Sequence, residues 1–396
     1  MYNGKRNLFL NLVAITITLS PISVVAQKND GYSLTGHING LKDGDKVLMN
    51  MMVYNPGEAV EVHRDSAFVK NGEFHIEGHV PDGPRVYWMW LPRIDHVYRM
   101  FIDNNQAIQL RYDKDISKER MQLLDRILVS DGSPTNTAFH LIWAIDDMYS
   151  QSTGMIDHEL QKIRDSIGYD RKLVDGLMRA RKGIRQGLNN RFLNHLDPLF
   201  LPAAGLLAMY EGGDHDGGWA DVYDQMDGHL RASVPGKMLQ QRLPLLVGKK
   251  MPDFSLPDGQ GKTVSLKDLP SKGKLTLVRF WATNSYNRAA FDAELKAMYQ
   301  QYHNKGLNVV AVSTDTKLDT WKQTLQTEQY PWQNVIDLRG EAVVDTVYHE
   351  LGSLAGPNTT NVLLDTEGNI VAWDVYGLEL RWYLDTILNP EPAENR

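Results

Sequence analysis

Leu275-Thr276-Leu277-Val278-Arg279-Phe280-Trp281 is a short apolar run carrying a single charge. Its length and its content of apolar, β-branched and aromatic residues suit a buried strand. A helical pattern begins near Arg288. Phe291, Leu295, Met298 and Tyr302 share one face, and Gly306 supplies a stop. The alternation then continues: strand over 307–312, helix over 318–327, strand over 332–336, helix over 341–351. A strand over 361–364, its hairpin partner over 370–375 and a last helix over 378–388 complete it. This order predicts an α/β domain over 247–390, a mixed central sheet with helices on both faces. Residues 391–396 read as a disordered tail.

The remainder of the chain has a different rhythm. From 27 to 115 short alternating runs recur, and Asn71-Gly72 is a strong hairpin turn. They predict an antiparallel, sandwich-like β domain. Trp88 and Trp90 fall on one face of their strand and Tyr87 and Met89 on the other, so one of the two faces is core. Residues 116–246 turn helical in spacing and read as a connector. Asp214-His215-Asp216 sits there in a glycine-rich loop without helical ligand spacing, so no metal is expected. At the N-terminus, Lys5 and Arg6 precede an apolar run from Leu8 to Ala26 interrupted at Asn11, Ser20 and Pro21. Val24-Val25-Ala26 ends it with small residues, which predicts a signal peptide over 1–26 cleaved before Gln27. The mature chain is then expected to be exported, with no transmembrane segment.

Composition narrows the chemistry. The chain has 396 residues, a formal net charge of −7 and no cysteine. The charge and the lack of Lys/Arg runs give nucleic acid no basic face. Without cysteine there is no disulfide, thiolate metal site or thiol nucleophile. No phosphate-binding loop, dinucleotide fingerprint, His-Glu-x-x-His or Gly-x-Ser-x-Gly occurs, and no cofactor is expected.

Several markers nonetheless stand in order. They are Gly248 with Pro252-Asp253-Phe254-Ser255-Leu256, then Gly261-Lys262-Thr263-Val264-Ser265-Leu266, then Val278-Arg279-Phe280-Trp281-Ala282-Thr283. Leu307 to Ser313 with Asp315 follows, and Asn361-Val362-Leu363-Leu364-Asp365 with Gly368 and Ile370 closes the set. In these residues the stretch 247–388 resembles the TlpA/ResA-like branch of thioredoxin-fold thiol–disulfide oxidoreductases, related to the AhpC/TSA group. The β region resembles a domain of unknown function found ahead of envelope thioredoxin-like domains in Gram-negative bacteria. Its markers are Leu34 to Leu41 and the Asp65 to Phe74 hairpin.

The resemblance implies a Cys-x-x-Cys pair at the start of the first helix, whose dipole favours thiolate. In this sequence Ser285 stands at the nucleophilic position and Arg288 at the resolving one, with Tyr286 and Asn287 between them. Asn284 replaces the usual aromatic residue, and Thr359 stands where the family has a cis-proline. A Ser285 nucleophile would need an oriented base, and His349 is the one histidine of the domain beyond its first helix. Ser285 or Asn284 as a helix cap and Arg288 as a solvated surface residue are the plainer expectations. The implied function is a noncatalytic envelope protein of a Gram-negative bacterium that binds a peptide or protein. Its groove would be formed by Trp281, Asn284, Ser285, Tyr286, Asn287, Asn358 and Thr359. The alternatives are an oxidoreductase, as the resemblance alone suggests, and a structural protein whose groove is unused.

Overall fold

The computed structural model describes residues 31–55, 58–80, 83–119, 129–131, 133–165, 169–193, 218–233, 236–237, 239–240, 243–268, 273–285, 287–338 and 360–390. The expected signal peptide, the Asp214–Asp216 loop, the 341–351 helix, His349 and the tail lie outside these residues.

The N-terminal domain is two four-stranded sheets around one core. The first has the order β4-β1-β7-β8, built from β1 (Tyr32–Ile38), β4 (Glu73–Gly78), β7 (Gln106–Tyr112) and β8 (Val129–Asp131). The second has the order β3-β2-β5-β6, from β2 (Lys46–Asn55), β3 (Glu58–Phe68), β5 (Arg85–Leu91) and β6 (His96–Ile102). All pairings are antiparallel except β1 with β7, which run parallel. Leu34, Phe74, Ile108 and Leu110 of one sheet meet Val47, Met49, Tyr87 and Met89 of the other. The buried face of β5 is therefore the Tyr87–Met89 face, as period-two alternation allows. Asn71 and Gly72 take φ of 54° and 78°, the left-handed pair a tight hairpin needs. Gly36 pairs with Phe74 across the strands, and a Cβ there would sit 2.1 Å from the Phe74 ring. Strand β8 lies beyond the expected boundary at 115. At three residues it is too short to show alternation, and its pairing with β7 extends the sheet into the region read as connector.

Two long helices follow, α1 (Pro134–Asp165) and α2 (Arg171–Leu193). The start of α1 is fixed to β6. Thr135 Oγ1 donates to the Phe101 carbonyl at 3.1 Å, and the Phe101 amide donates to Asn136 Oδ1 at 3.0 Å. Two short helices, α3 (Gly218–Gln225) and α4 (Gly228–Ala232), precede the last domain. Among the described residues no helix is long and apolar enough to cross a membrane.

The C-terminal domain opens on the hairpin of β9 (Ser255–Pro257) and β10 (Thr263–Ser265). Its five-stranded sheet has the order β13-β12-β11-β14-β15. Strands β11 (Leu275–Trp281), β12 (Leu307–Ser313) and β13 (Gln333–Ile336) run parallel; β14 (Thr360–Leu364) and β15 (Ile370–Trp373) are antiparallel. Helices α5 (Arg288–Tyr302), α6 (Leu318–Glu328) and α7 (Gly377–Leu388) complete the described part. One face of the sheet packs Leu295, Met298, Trp321 and Leu384 from these helices. The other face packs Met251, Phe254, Leu256 and Leu266.

Candidate functional site

The β11–α5 junction lies at the carboxyl ends of two adjacent parallel strands, since Trp281 pairs with Ser313. That is where α/β sheets place their working loops. The junction is closed by its own hydrogen bonds. Ser285 Oγ accepts from the Ala282 amide at 2.9 Å, and the Ser285 amide donates to the Ala282 carbonyl at 3.0 Å. Asp315, just past β12, accepts from the Thr283 amide at 3.0 Å and from Thr283 Oγ1 at 2.7 Å. Ser313 Oγ donates to the other oxygen of Asp315 at 2.7 Å.

This geometry corrects three expectations. Neither Ser285 nor Asn284 caps the helix. Asn287 precedes it with φ of 52° and no side-chain cap bond, a left-handed backbone that asparagine tolerates. Ser285 lies too early in the turn to cap α5, and its oxygen is used on Ala282. Trp281, at 1% exposure, is a core residue that backs the junction instead of lining a groove. Its ring packs edge-on to Tyr330 at 5.5 Å, because position 281 continues the inward register of Leu275 and Leu277.

Arg288 is not a solvated surface residue. Its Nη1 donates to Asp292 Oδ2 at 2.8 Å, to the Tyr330 hydroxyl at 2.8 Å and to Glu328 Oε1 at 3.2 Å. Burial works against its charge, but Tyr330, Asp292 and Glu328 outweigh burial and hold its pKa above the ordinary value. The Tyr330 hydroxyl donates to Asp292 Oδ2 at 2.5 Å, and burial, then that bond, push its pKa up. Asp292 also meets Arg279 of β11 at 2.5 Å. Lys296 Nζ donates to the Glu328 carbonyl at 2.8 Å. Sequence reasoning missed Arg279, Asp292 and Tyr330. The available signal was Arg279 itself, a charge inside an apolar strand, which must find a partner.

Of the expected groove, Asn284 and Asn287 are exposed and Ser285 is 7% exposed. Tyr286, Asn358 and Thr359 lie outside the described residues, so whether the two segments adjoin does too. Among the described residues no base hydrogen-bonds Ser285. With no cysteine in the sequence, the junction holds no group for thiol–disulfide exchange.

Comparison with known proteins follows the same division. Residues 247–373 match the AhpC/TSA family, and residues 32–139 match a domain of unknown function, DUF4369. The thiol-disulfide oxidoreductase ResA of Bacillus cereus is 29% identical over 126 residues, which covers 32% of this chain and 67% of that protein. Among solved structures, a thiol:disulfide interchange protein from Bacteroides sp. is 28% identical, with a TM-score of 0.31. It is matched over 38% of this chain and 94% of its own. A thiol-disulfide oxidoreductase from Bacteroides fragilis is 26% identical, with a TM-score of 0.30, over 35% of this chain and 98% of its own. The C-terminal domain is thioredoxin-like, matches the AhpC/TSA family model over residues 247–373 and is similar to ResA-type thiol-disulfide oxidoreductases but without cysteine, and it follows a region that matches DUF4369.

Proposed function

We propose that this chain is a redox-inactive member of the group, exported to the cell envelope, whose thioredoxin-like domain holds a peptide or protein partner reversibly. The observation that carries the first half is Ser285. It stands where the nucleophile would be, is almost buried, and has its oxygen committed to the Ala282 amide. A hydroxyl so placed, with no base bonded to it among the described residues, does not attack a disulfide or a peroxide. The binding half rests on position. The junction lies at the strand ends where this architecture meets its ligands, and it presents the amides of Asn284 and Asn287 to solvent. An extended peptide could pair there through backbone hydrogen bonds. Export rests on the expected signal peptide.

Capture from envelope extract tests this reading. Wild-type protein and an Asn284→Ala/Tyr286→Ala variant, immobilised with and without reductant, should differ from each other and be indifferent to the reductant. Identical captures by both proteins would favour a structural role with an unused groove.

A further inference from the structure

An asparagine followed by glycine loses its side-chain amide in water more readily than other asparagines, because glycine has no Cβ to keep its nitrogen away from the asparagine Cγ. Two such pairs lie among the described residues, Asn39-Gly40 and Asn71-Gly72. The fold treats them differently. Asn39 is held through main chain and side chain. Its amide donates to the Tyr112 carbonyl at 2.9 Å, its carbonyl accepts from the Ile116 amide at 2.9 Å, and its Nδ2 donates to the Asp113 carbonyl at 3.0 Å. Arg93 Nη2 donates to the Gly40 carbonyl at 2.7 Å. Gly40 is packed so closely that a Cβ there would lie 2.3 Å from Asp115 Oδ1.

Asn71 and Gly72 form the loop before β4, closed by main-chain bonds of 2.7 and 3.2 Å between Lys70 and Glu73. The Asn71 side chain is exposed, and open space surrounds the place a Gly72 Cβ would take. The Gly72 amide donates to Asp43 Oδ1 at 3.2 Å, a contact from the turn between β1 and β2. That nitrogen is the one that must attack Asn71 Cγ. To do so it has to leave Asp43 and give up its proton, and a carboxylate beside it disfavours the deprotonated amide. Asp43 therefore holds back the reaction twice, once by the bond and once by its charge.

We propose that Asn71 is a site of spontaneous deamidation whose rate Asp43 sets. The Gly72 nitrogen bonds to Asn71 Cγ and passes its proton to water, the Cγ–Nδ2 bond breaks, and ammonia leaves. Water then opens the succinimide at one carbonyl or the other, which gives aspartate or isoaspartate. Nothing is oxidised or reduced, and water is the sole co-reactant. The product carries a new negative charge between Asp43 and Glu73. As isoaspartate it also adds a methylene to the main chain of a loop whose length fixes the hairpin register. Val69 and Phe74, 2% and 3% exposed, flank that loop in the sandwich core, so conversion weakens the β domain. The site is remote from the groove of the proposed function in sequence and stands or falls without it.

Ageing the purified full chain at mildly alkaline pH tests it, with peptide mapping by mass spectrometry and enzymatic methylation of isoaspartate. Folded wild type should convert at Asn71 while Asn39 stays intact, a comparison that needs no variant. In urea, where the fold holds neither residue, the two sites should convert at similar rates. Asp43→Ala, at an exposed position, should speed conversion at Asn71 about three- to ten-fold, the worth of one hydrogen bond to a charged group. Aged wild type should unfold at a lower temperature than fresh protein, and Asn71→Asp should lie in the same direction. Equal conversion at Asn39 and Asn71 in the folded protein, or none at Asn71, overturns the proposal. So does a difference between the sites that persists unchanged in urea, or an Asp43→Ala rate no higher than that of wild type.

Discussion

Arg279 on β11 and Asp292 on α5 approach to 2.5 Å with both side chains 2% exposed. The contact ties the second turn of the helix to the middle strand of the sheet. Asp292 also accepts from Arg288 and Tyr330, so one carboxylate organises the region under the junction. Removing it leaves a buried guanidinium without its counter-charge, a loss of about 3–5 kcal/mol. Asp292→Ala should therefore lower the unfolding free energy by about that amount, measured by urea titration. A change below about 1 kcal/mol would mean that the pair is solvated in solution.

The purified protein should reduce neither insulin disulfides nor peroxides above a blank. Neither reactive position carries sulfur, and Ser285 Oγ is held by Ala282 at 2.9 Å. Thiol-dependent turnover by a homogeneous preparation would remove the redox-inactive reading.

Ser285→Cys with Arg288→Cys should restore a bridge. The Arg288 amide donates to the Ser285 carbonyl at 3.3 Å, so the two residues span one tight turn. Their Cα atoms then fall within the ~4.4–6.8 Å that a disulfide spans. Mild oxidation should close it, seen as a loss of titratable thiol. The variant should also be less stable than wild type, because Asp292, Glu328 and Tyr330 each lose the Arg288 contact. Persistent free thiols would show that positions 285 and 288 do not correspond to the redox pair.

Asp365 gives a pH-dependent prediction. Burial alone would raise its pKa, but bonds from the Asn369 side chain and from the backbone amides of Asn369 and Glu367 hold it below the ordinary value. A carboxyl lowered in the folded state stabilises above its unfolded pKa, and that contribution is lost as pH falls through the folded pKa. Asp365→Asn should thus cost about 1–2 kcal/mol at neutral pH. The gap to wild type should shrink once the pH drops below about 4. Denaturant titrations at both pH values check it, and a gap constant with pH would assign the loss to shape instead of charge.

Much of the C-terminal domain was legible because each element is long enough to show its period. The apolar run 275–281, the 3.6-residue spacing of Leu295, Met298 and Tyr302, and the Gly306 stop each have a local physical cause. Strand β8 was not legible, since three residues carry no period. The site was less readable than the fold. Ser285 was located by its place after Trp281, but its inward bond to Ala282 depends on how the turn folds back. Arg279 and Asp292 belong to different elements, and only the docking of α5 on the sheet makes them neighbours. Arg288 looked solvated for the same reason, because two of its partners are Glu328, the last residue of α6, and Tyr330 just beyond it.

The docking of α2 on α7 sets an order of assembly. Arg171 donates to the carbonyls of Asp385 and Asn389, and Trp382 Nε1 donates to Asp175 Oδ1 at 3.0 Å. Leu160, Val174 and Met178 pack against Leu378 and Trp382. On the ribosome the β-sandwich strands are complete long before residue 378 is made, and so can settle early. The helical pair must wait with its apolar stripe uncovered until the final helix emerges. A stop codon placed after Tyr376 should release a chain in which the sandwich resists protease while Arg171 to Leu193 is cut.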